Sequence, residues 1–171
     1  ALLTDQDKET DIYITSQTSL TLGLRYTNEQ ISFVSDTELN APIDNTIVGV
    51  TFPFWFVDDK QKNSQWSGKL ALSHKLSNDW MLYTSASNGV KSGGFNGGFL
   101  FAAEEAENAA YESEILYSYE VGIKADLWNK EARVAVSVFY YDYRNQQVFI
   151  NQPSSTKDAP NLQLLQNIPN S

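Results

Sequence analysis

Residues 116–128 read Leu116-Tyr117-Ser118-Tyr119-Glu120-Val121-Gly122-Ile123-Lys124-Ala125-Asp126-Leu127-Trp128. Tyr117, Tyr119, Val121, Ile123, Ala125 and Leu127 fall in one phase of a two-residue repeat. Ser118, Glu120, Gly122, Lys124 and Asp126 fall in the other. Side chains on a strand point alternately to opposite faces, so this stretch is a strand with one apolar, aromatic side and one charged side.

Working outward, the same alternation recurs. Ser19–Asn28 sets Leu20, Leu22, Leu24 and Tyr26 against Thr21, Gly23, Arg25 and Thr27. Glu29–Ser35 extends that strand beyond its apolar part. Gln65–Leu76 sets Trp66, Leu70, Leu72 and Leu76 against Ser67, Lys69, Ser73 and Lys75. Trp80 to about Val90 is a strand with a less clean pattern. Ala132 to about Ile150 alternates Val134, Val136, Val138 and Tyr140 with Arg133, Ala135, Ser137, Phe139 and Tyr141. Asp11–Thr15 reads as the end of a preceding strand, Ser16–Thr18 as a tight turn, and Leu162–Gln166 as the start of a further strand.

Short turns at Ser77–Asp79 and Asn129–Glu131 alternate with long loops over 36–64, 91–115 and 151–161. Outer-membrane barrels segregate their connections in this way, short turns on one side and long loops on the other. Trp80 and Trp128 flank tight turns, and Tyr140, Tyr141 and Tyr143 fall toward the opposite edge, as two aromatic girdles would. The expected fold is all-β: an antiparallel meander of about five or six long strands, forming an open piece of a membrane barrel wall.

Composition agrees. The chain of 171 residues is 42% hydrophobic, low for a globular core, and 13% aromatic, as girdles demand. It has no apolar run of about 18 residues, so no transmembrane helix is expected, but barrel strands are shorter and only half apolar. The sequence starts at Ala1 without a basic, apolar leader, so a secretory signal is expected to have been removed or left out. The net charge is −9, and Lys and Arg are scattered, which argues against a nucleic-acid partner.

Sites of chemistry are scarce. His74 is the only histidine, so neither a Ser-His-Asp triad nor a His-based zinc cluster can form within the chain. It lies on the apolar phase of its strand and is expected to be structural. Lys91-Ser92 lacks the glycines of a phosphate loop, and Gly93–Gly98 reads as a flexible loop base. Ala102–Ala110 could form a helical turn or two. Glu104, Glu105, Glu107, Glu112 and Glu114 make an acidic, solvated loop without calcium-loop spacing. Arg25, Lys69, Lys75, Glu120, Lys124 and Asp126 project to the charged side as wall residues that keep an interior wet. No catalytic residue, cofactor site or metal site is expected, and the chain is not read as an enzyme. The patch Phe52–Val57 is either a loop packing on itself or an edge strand, or else an aromatic wall facing a ligand.

Four segments carry a family resemblance. Leu22-Gly23-Leu24-Arg25-Tyr26-Thr27-Asn28-Glu29 is similar to "GLRYTxE", and residues 83–96, Tyr83 to Asn96, are similar to "YxSxSxGYKSGGFN". Tyr117-Ser118-Tyr119-Glu120-Val121-Gly122-Ile123-Lys124 is similar to "SYEVGLK", and Val138-Phe139-Tyr140-Tyr141-Asp142-Tyr143 to "FYYDY". In order and spacing these resemble the TonB-dependent receptors of Gram-negative outer membranes. The resemblance implies that residues 1–171 are part of a barrel of about 22 strands. On this resemblance an interior fragment is expected, without the plug domain, the TonB-box and the remaining strands. It further implies contact with outer-membrane lipid, uptake of a ferric siderophore or another scarce nutrient, and energy from the TonB complex acting through the plug. Phe54, Trp55, Phe95 and Asn96 are the candidate ligand-facing loop residues. Two other readings stay open: a passive outer-membrane porin or channel, and a soluble carbohydrate-binding β-sandwich using Trp55, Trp66 and Trp80 as stacking platforms.

Overall fold

The structure is a computed structural model that describes residues 2–36, 46–47, 50–51, 56–97, 109–153 and 161–170. Its strands in chain order are β1 (Leu2–Tyr13), β2 (Thr18–Asp36), β3 (Thr46–Ile47), β4 (Val50–Thr51), β5 (Phe56–Lys75), β6 (Trp80–Lys91), β7 (Gly94–Phe95), β8 (Ala110–Tyr111), β9 (Glu114–Leu127), β10 (Ala132–Gln152) and β11 (Leu162–Asn170). Seven of them form one antiparallel sheet in the order β1-β2-β5-β6-β9-β10-β11, and the pairs β3-β4 and β7-β8 form two small ribbons in the connections. Each long strand lies beside the next long strand in sequence, which makes the sheet a meander. No helix occurs among the described residues.

The sheet has one strand more than the upper expectation, and its strands are longer. β5 begins at Phe56, so the polar run Asp58–Ser64, expected as loop, is strand. It pairs residue by residue with Asn28–Val34 of β2. A strand segment wetted on both faces needs no apolar phase, and periodicity alone cannot see it. β1 is likewise a full 12-residue strand where only its last residues were legible. Its polar sequence is held by the ladder to β2 from Leu2↔Gln30 to Tyr13↔Ser19. Of the expected helical turn, residues 102–108 lie outside the described residues and Ala110 belongs to β8. Short connections at 14–17, 76–79 and 128–131 still alternate with long ones at 37–55, 92–113 and 153–161. The turn after β9 is made by three consecutive left-handed residues, Trp128, Asn129 and Lys130, at φ of 51°, 57° and 74°.

Register fixes the two faces. Leu20 lies opposite Leu72, Leu72 opposite Thr84, Thr84 opposite Val121, and Val121 opposite Val138. One pair of residues further, Leu22, Leu70, Ala86, Tyr119 and Tyr140 form a second row. Leu72, Val121 and Val136 are 40%, 49% and 58% exposed. Among the described residues only Ala109, Ala125 and Leu164 are buried apolar residues, and no large side chain is fully buried. A soluble sandwich would need a second sheet over this face, and the described residues supply none.

The opposite face is polar and internally connected. The Tyr83 hydroxyl donates to Glu120 Oε1 at 2.5 Å, and the Lys124 ammonium stands 5.0 Å from the centre of the same ring. The ring lies across Gly122: a Cβ there would sit 2.6 Å from it. Glycine in the middle of this strand is therefore the seat of a neighbour's aromatic side chain. Arg133 donates to both Asp126 oxygens, at 2.6 and 3.2 Å, beside the 128–131 turn. Thr21 donates to Asp11 at 2.6 Å. His74, on the apolar phase, has its Nδ1 2.9 Å from the Thr18 hydroxyl.

Candidate functional site

Among the described residues, the connection between β6 and β9 is bonded to both sides of the sheet. Its two feet, residues 92–97 and 109–113, are joined by the β7-β8 ribbon, in which Gly94 pairs with Tyr111 and Phe95 with Ala110. Close approach of Tyr111, by its main chain at Gly93 and by its ring at Gly94, explains the Gly-Gly start of this loop. A Cβ on Gly93 would fall 2.4 Å from the Tyr111 carbonyl oxygen, and one on Gly94 would fall 2.7 Å from the Tyr111 hydroxyl.

The feet bridge distant parts of the sheet. On one side, Phe95 stacks on Phe33 of β2 with ring centres 5.2 Å apart and planes 10° apart. Gln61 Nε2 of β5 donates to the Tyr111 carbonyl at 3.2 Å, and Gln65 Nε2 donates to the Ser113 hydroxyl. On the other side, Gln147 Nε2 of β10 donates to the carbonyls of Ser92 and Glu112, both at 2.9 Å. The Gln147 main-chain N–H donates to Glu114 Oε2 at 2.7 Å.

Two side-chain amides then act as short pieces of strand. The Leu165 N–H donates to Asn96 Oδ1 at 2.7 Å, and Asn96 Nδ2 donates back to the Leu165 carbonyl at 3.0 Å. The N–H and C=O of one strand residue point to the same side, so this pair is turned away from β10. Asn96 therefore bonds β11 on the side away from β10. Asn167 makes the reciprocal bracket: the Glu112 N–H donates to its Oδ1 at 2.8 Å, and its Nδ2 donates to the Glu112 carbonyl at 3.0 Å. The second Asn96 Nδ2 hydrogen goes to the Ala109 carbonyl at 3.1 Å. A third amide, Asn88, accepts from the Gly68 N–H at 2.9 Å and donates to the Trp66 carbonyl at 3.0 Å. It continues the β5-β6 ladder one step past its last paired residues, Gly68 and Asn88.

Of the candidate ligand-facing residues, Phe95 and Asn96 are thus brought together at this strap. Phe54 and Trp55 lie outside the described residues. Asn96 is 8% exposed, with both amide hydrogens and its oxygen engaged. Reasoning from sequence missed Gln61, Gln65, Asn88, Gln147 and Asn167. Amide side chains carry no periodic signal, and their partners lie as many as 55 residues away. Asn96→Asp should detach the strap from β11, because a carboxylate oxygen replaces the NH₂ group and faces two carbonyls. Faster hydrogen exchange at Leu165 and Asn96, with the β9-β10 ladder unchanged, is the expected result. Unaltered exchange at Leu165 would remove the bracket.

A family model described as TonB dependent receptor-like, beta-barrel matches residues 9–171. The chain belongs to the TonB-dependent receptor family. No curated protein matches it. Among solved structures, this TonB-dependent receptor chain is similar to the ferric yersiniabactin uptake receptor FyuA from Yersinia pestis, at 18% identity and a TM-score of 0.67. That match covers 85% of this chain and 21% of FyuA. It is also similar to the ferric-catecholate import receptor Fiu from E. coli, at 16% identity and a TM-score of 0.62, over 95% of this chain and 23% of Fiu. The chain thus spans between a fifth and a quarter of the length of either structure. At these identities the likeness concerns the fold: an open, antiparallel piece of a barrel wall of this family.

Proposed function

We propose that this chain is part of the wall of a receptor in a Gram-negative outer membrane. The whole receptor imports a ferric siderophore or a similar iron complex in a TonB-dependent step. The observation that carries this reading is the family match over residues 9–171, on a sheet whose one face is apolar and uncovered and whose other face is charged. In this reading the apolar rows lie in lipid, the short turns face the periplasm, and the three long connections face outside. Arg25, Lys69, Lys75, Glu120, Lys124 and Asp126 keep the interior wet and meet the plug, through which the TonB complex acts. The names of FyuA and Fiu, both receptors for iron complexes, support the ligand class.

Ligand contact falls to the outer loops, with Phe54, Trp55, Phe95 and Asn96 as its residues. Asn96 contributes by holding the strap that carries Phe95. Among the described residues, the buried atoms Gln61 Oε1, Asn63 Nδ2 and Gln147 Oε1 have no hydrogen-bond partner. Such atoms are rare in native proteins, and a polar ligand would satisfy them. The test is deletion of the gene for the full-length receptor. Growth on at least one ferric siderophore as sole iron source should fail, and should return when the gene is restored in a TonB-competent strain. Wild-type growth of the deletion strain on every ferric siderophore would remove the iron ligand. Import that survives loss of TonB would remove the energised step.

A further inference from the structure

On the apolar face β6 contributes only small side chains at mid-height. Thr84 and Ala86 lie between Leu72 and Leu70 of β5 and Val121 and Tyr119 of β9. Adjacent strands are about 4.8 Å apart, which puts β5 and β9 about 10 Å apart across this line. Large side chains on both flanks and small ones between them make a furrow one strand wide. It appears as a cavity of about 580 Å³ lined by Leu70, Leu72, Thr84, Ala86, Tyr119 and Val121, with Leu20, Val138 and Tyr140 further out.

At its upper end, toward the long loops, the furrow turns polar. Gly68 lies opposite Asn88, Asn88 opposite Tyr117, and Tyr117 opposite Asp142. Arg144 lies over this lip with its guanidinium carbon 4.8 Å from the centre of the Tyr117 ring. Asp142 accepts from its Nε at 3.3 Å and its Nη2 at 3.2 Å, and the Arg144 side chain is still 56% exposed. An apolar trough is thus headed by a cation whose orientation is fixed by a ring and a carboxylate.

We propose that the furrow holds one acyl chain of a membrane lipid whose phosphate headgroup, net negative because no headgroup cation balances it, meets Arg144. This rests on the membrane reading above. The trough is continuous with the apolar rows that reading puts in lipid, and it is one chain wide. Its head carries the planar donor group that matches phosphate oxygens. A second polypeptide would bring main-chain polar groups into a floor of Thr84 and Ala86 that offers them little.

Purified full-length receptor in detergent is given phosphatidylglycerol or phosphatidylcholine with the same acyl chains, and native mass spectrometry counts the lipids retained. Wild type should retain phosphatidylglycerol in preference. Arg144→Gln should reduce phosphatidylglycerol retention about fivefold, the scale of one exposed ion pair, and leave phosphatidylcholine unchanged. Ala86→Phe should reduce retention of both by filling the trough, with Thr84→Leu as a second filling variant. Folding of each variant is checked by heat-modifiable gel mobility. Equal retention of the two lipids by wild type overturns the proposal, as does undiminished retention by the folded filling variants. Failure of the membrane reading would look different: the receptor would remain in solution without detergent.

Discussion

Val121→Arg in the full-length receptor should destabilise the folded barrel by about 2–4 kcal/mol, the cost of an arginine at the middle of the lipid face of a barrel strand. Ser85→Arg, on the charged face beside Glu120, should cost much less. Val121 sits at mid-height in the apolar row that runs from Leu20 through Leu72 and Thr84 to Val138. It is 49% exposed, so the added side chain meets no packed core, and any penalty comes from the medium outside. Ser85 is directly cross-strand from Glu120, where an added cation meets a carboxylate and water. Urea unfolding of the receptor refolded into lipid vesicles measures both variants. Equal costs would mean that the two faces meet the same medium, and the wall reading would fall.

That contrast between the faces also decides what could be read from sequence. The segment Leu116–Leu127 was legible because each successive side chain changes environment, from apolar to charged and back. β10 was legible for the same reason over its first half, and its expected end at about Ile150 lies close to the observed Gln152. The outer half of β5 was not. Asp58–Ser64 has polar residues in both phases, and only its ladder to Asn28–Val34 makes it a strand. The polar end of β1 was missed on the same grounds. At the strap, the glycines at Gly93 and Gly94 were visible as a loop base, but flexibility was the wrong reason for them. They are small because Tyr111 approaches closely. Phe95 and Asn96 could be singled out only through the family motif. That Phe95 stacks on Phe33 and Asn96 brackets Leu165 depends on pairings between strands far apart in sequence, which a single chain does not display.

Gly93→Ala should release the strap while leaving the wall intact. The added Cβ would stand 2.4 Å from the Tyr111 carbonyl oxygen, 2.7 Å from Gln61 Nε2 and 3.0 Å from the Glu112 carbonyl carbon. Gln61 is a flexible side chain and can withdraw, but the other two atoms are main chain. Relief therefore requires the two feet of the loop to part. Parting them strains the Gly93 N–H bond to the Ser113 hydroxyl at 3.1 Å and the pairing of Gly94 with Tyr111. It also shifts Glu112, on which the Asn167 bracket and one Gln147 bond depend. Overpacking of this kind costs about 1–3 kcal/mol, and the strap bears that loss locally because its bonds are separate from the β6-β9 ladder. Limited proteolysis of the full-length receptor should cut within 92–113 much faster in the variant, with the heat-modifiable mobility of the barrel unchanged. If the proposed import reading holds, uptake falls with the strap and Val121→Arg acts only through stability. A Gly93→Ala receptor as protease-resistant as wild type would mean that Tyr111 and Gly93 are not in this close approach, and that the strap is held some other way.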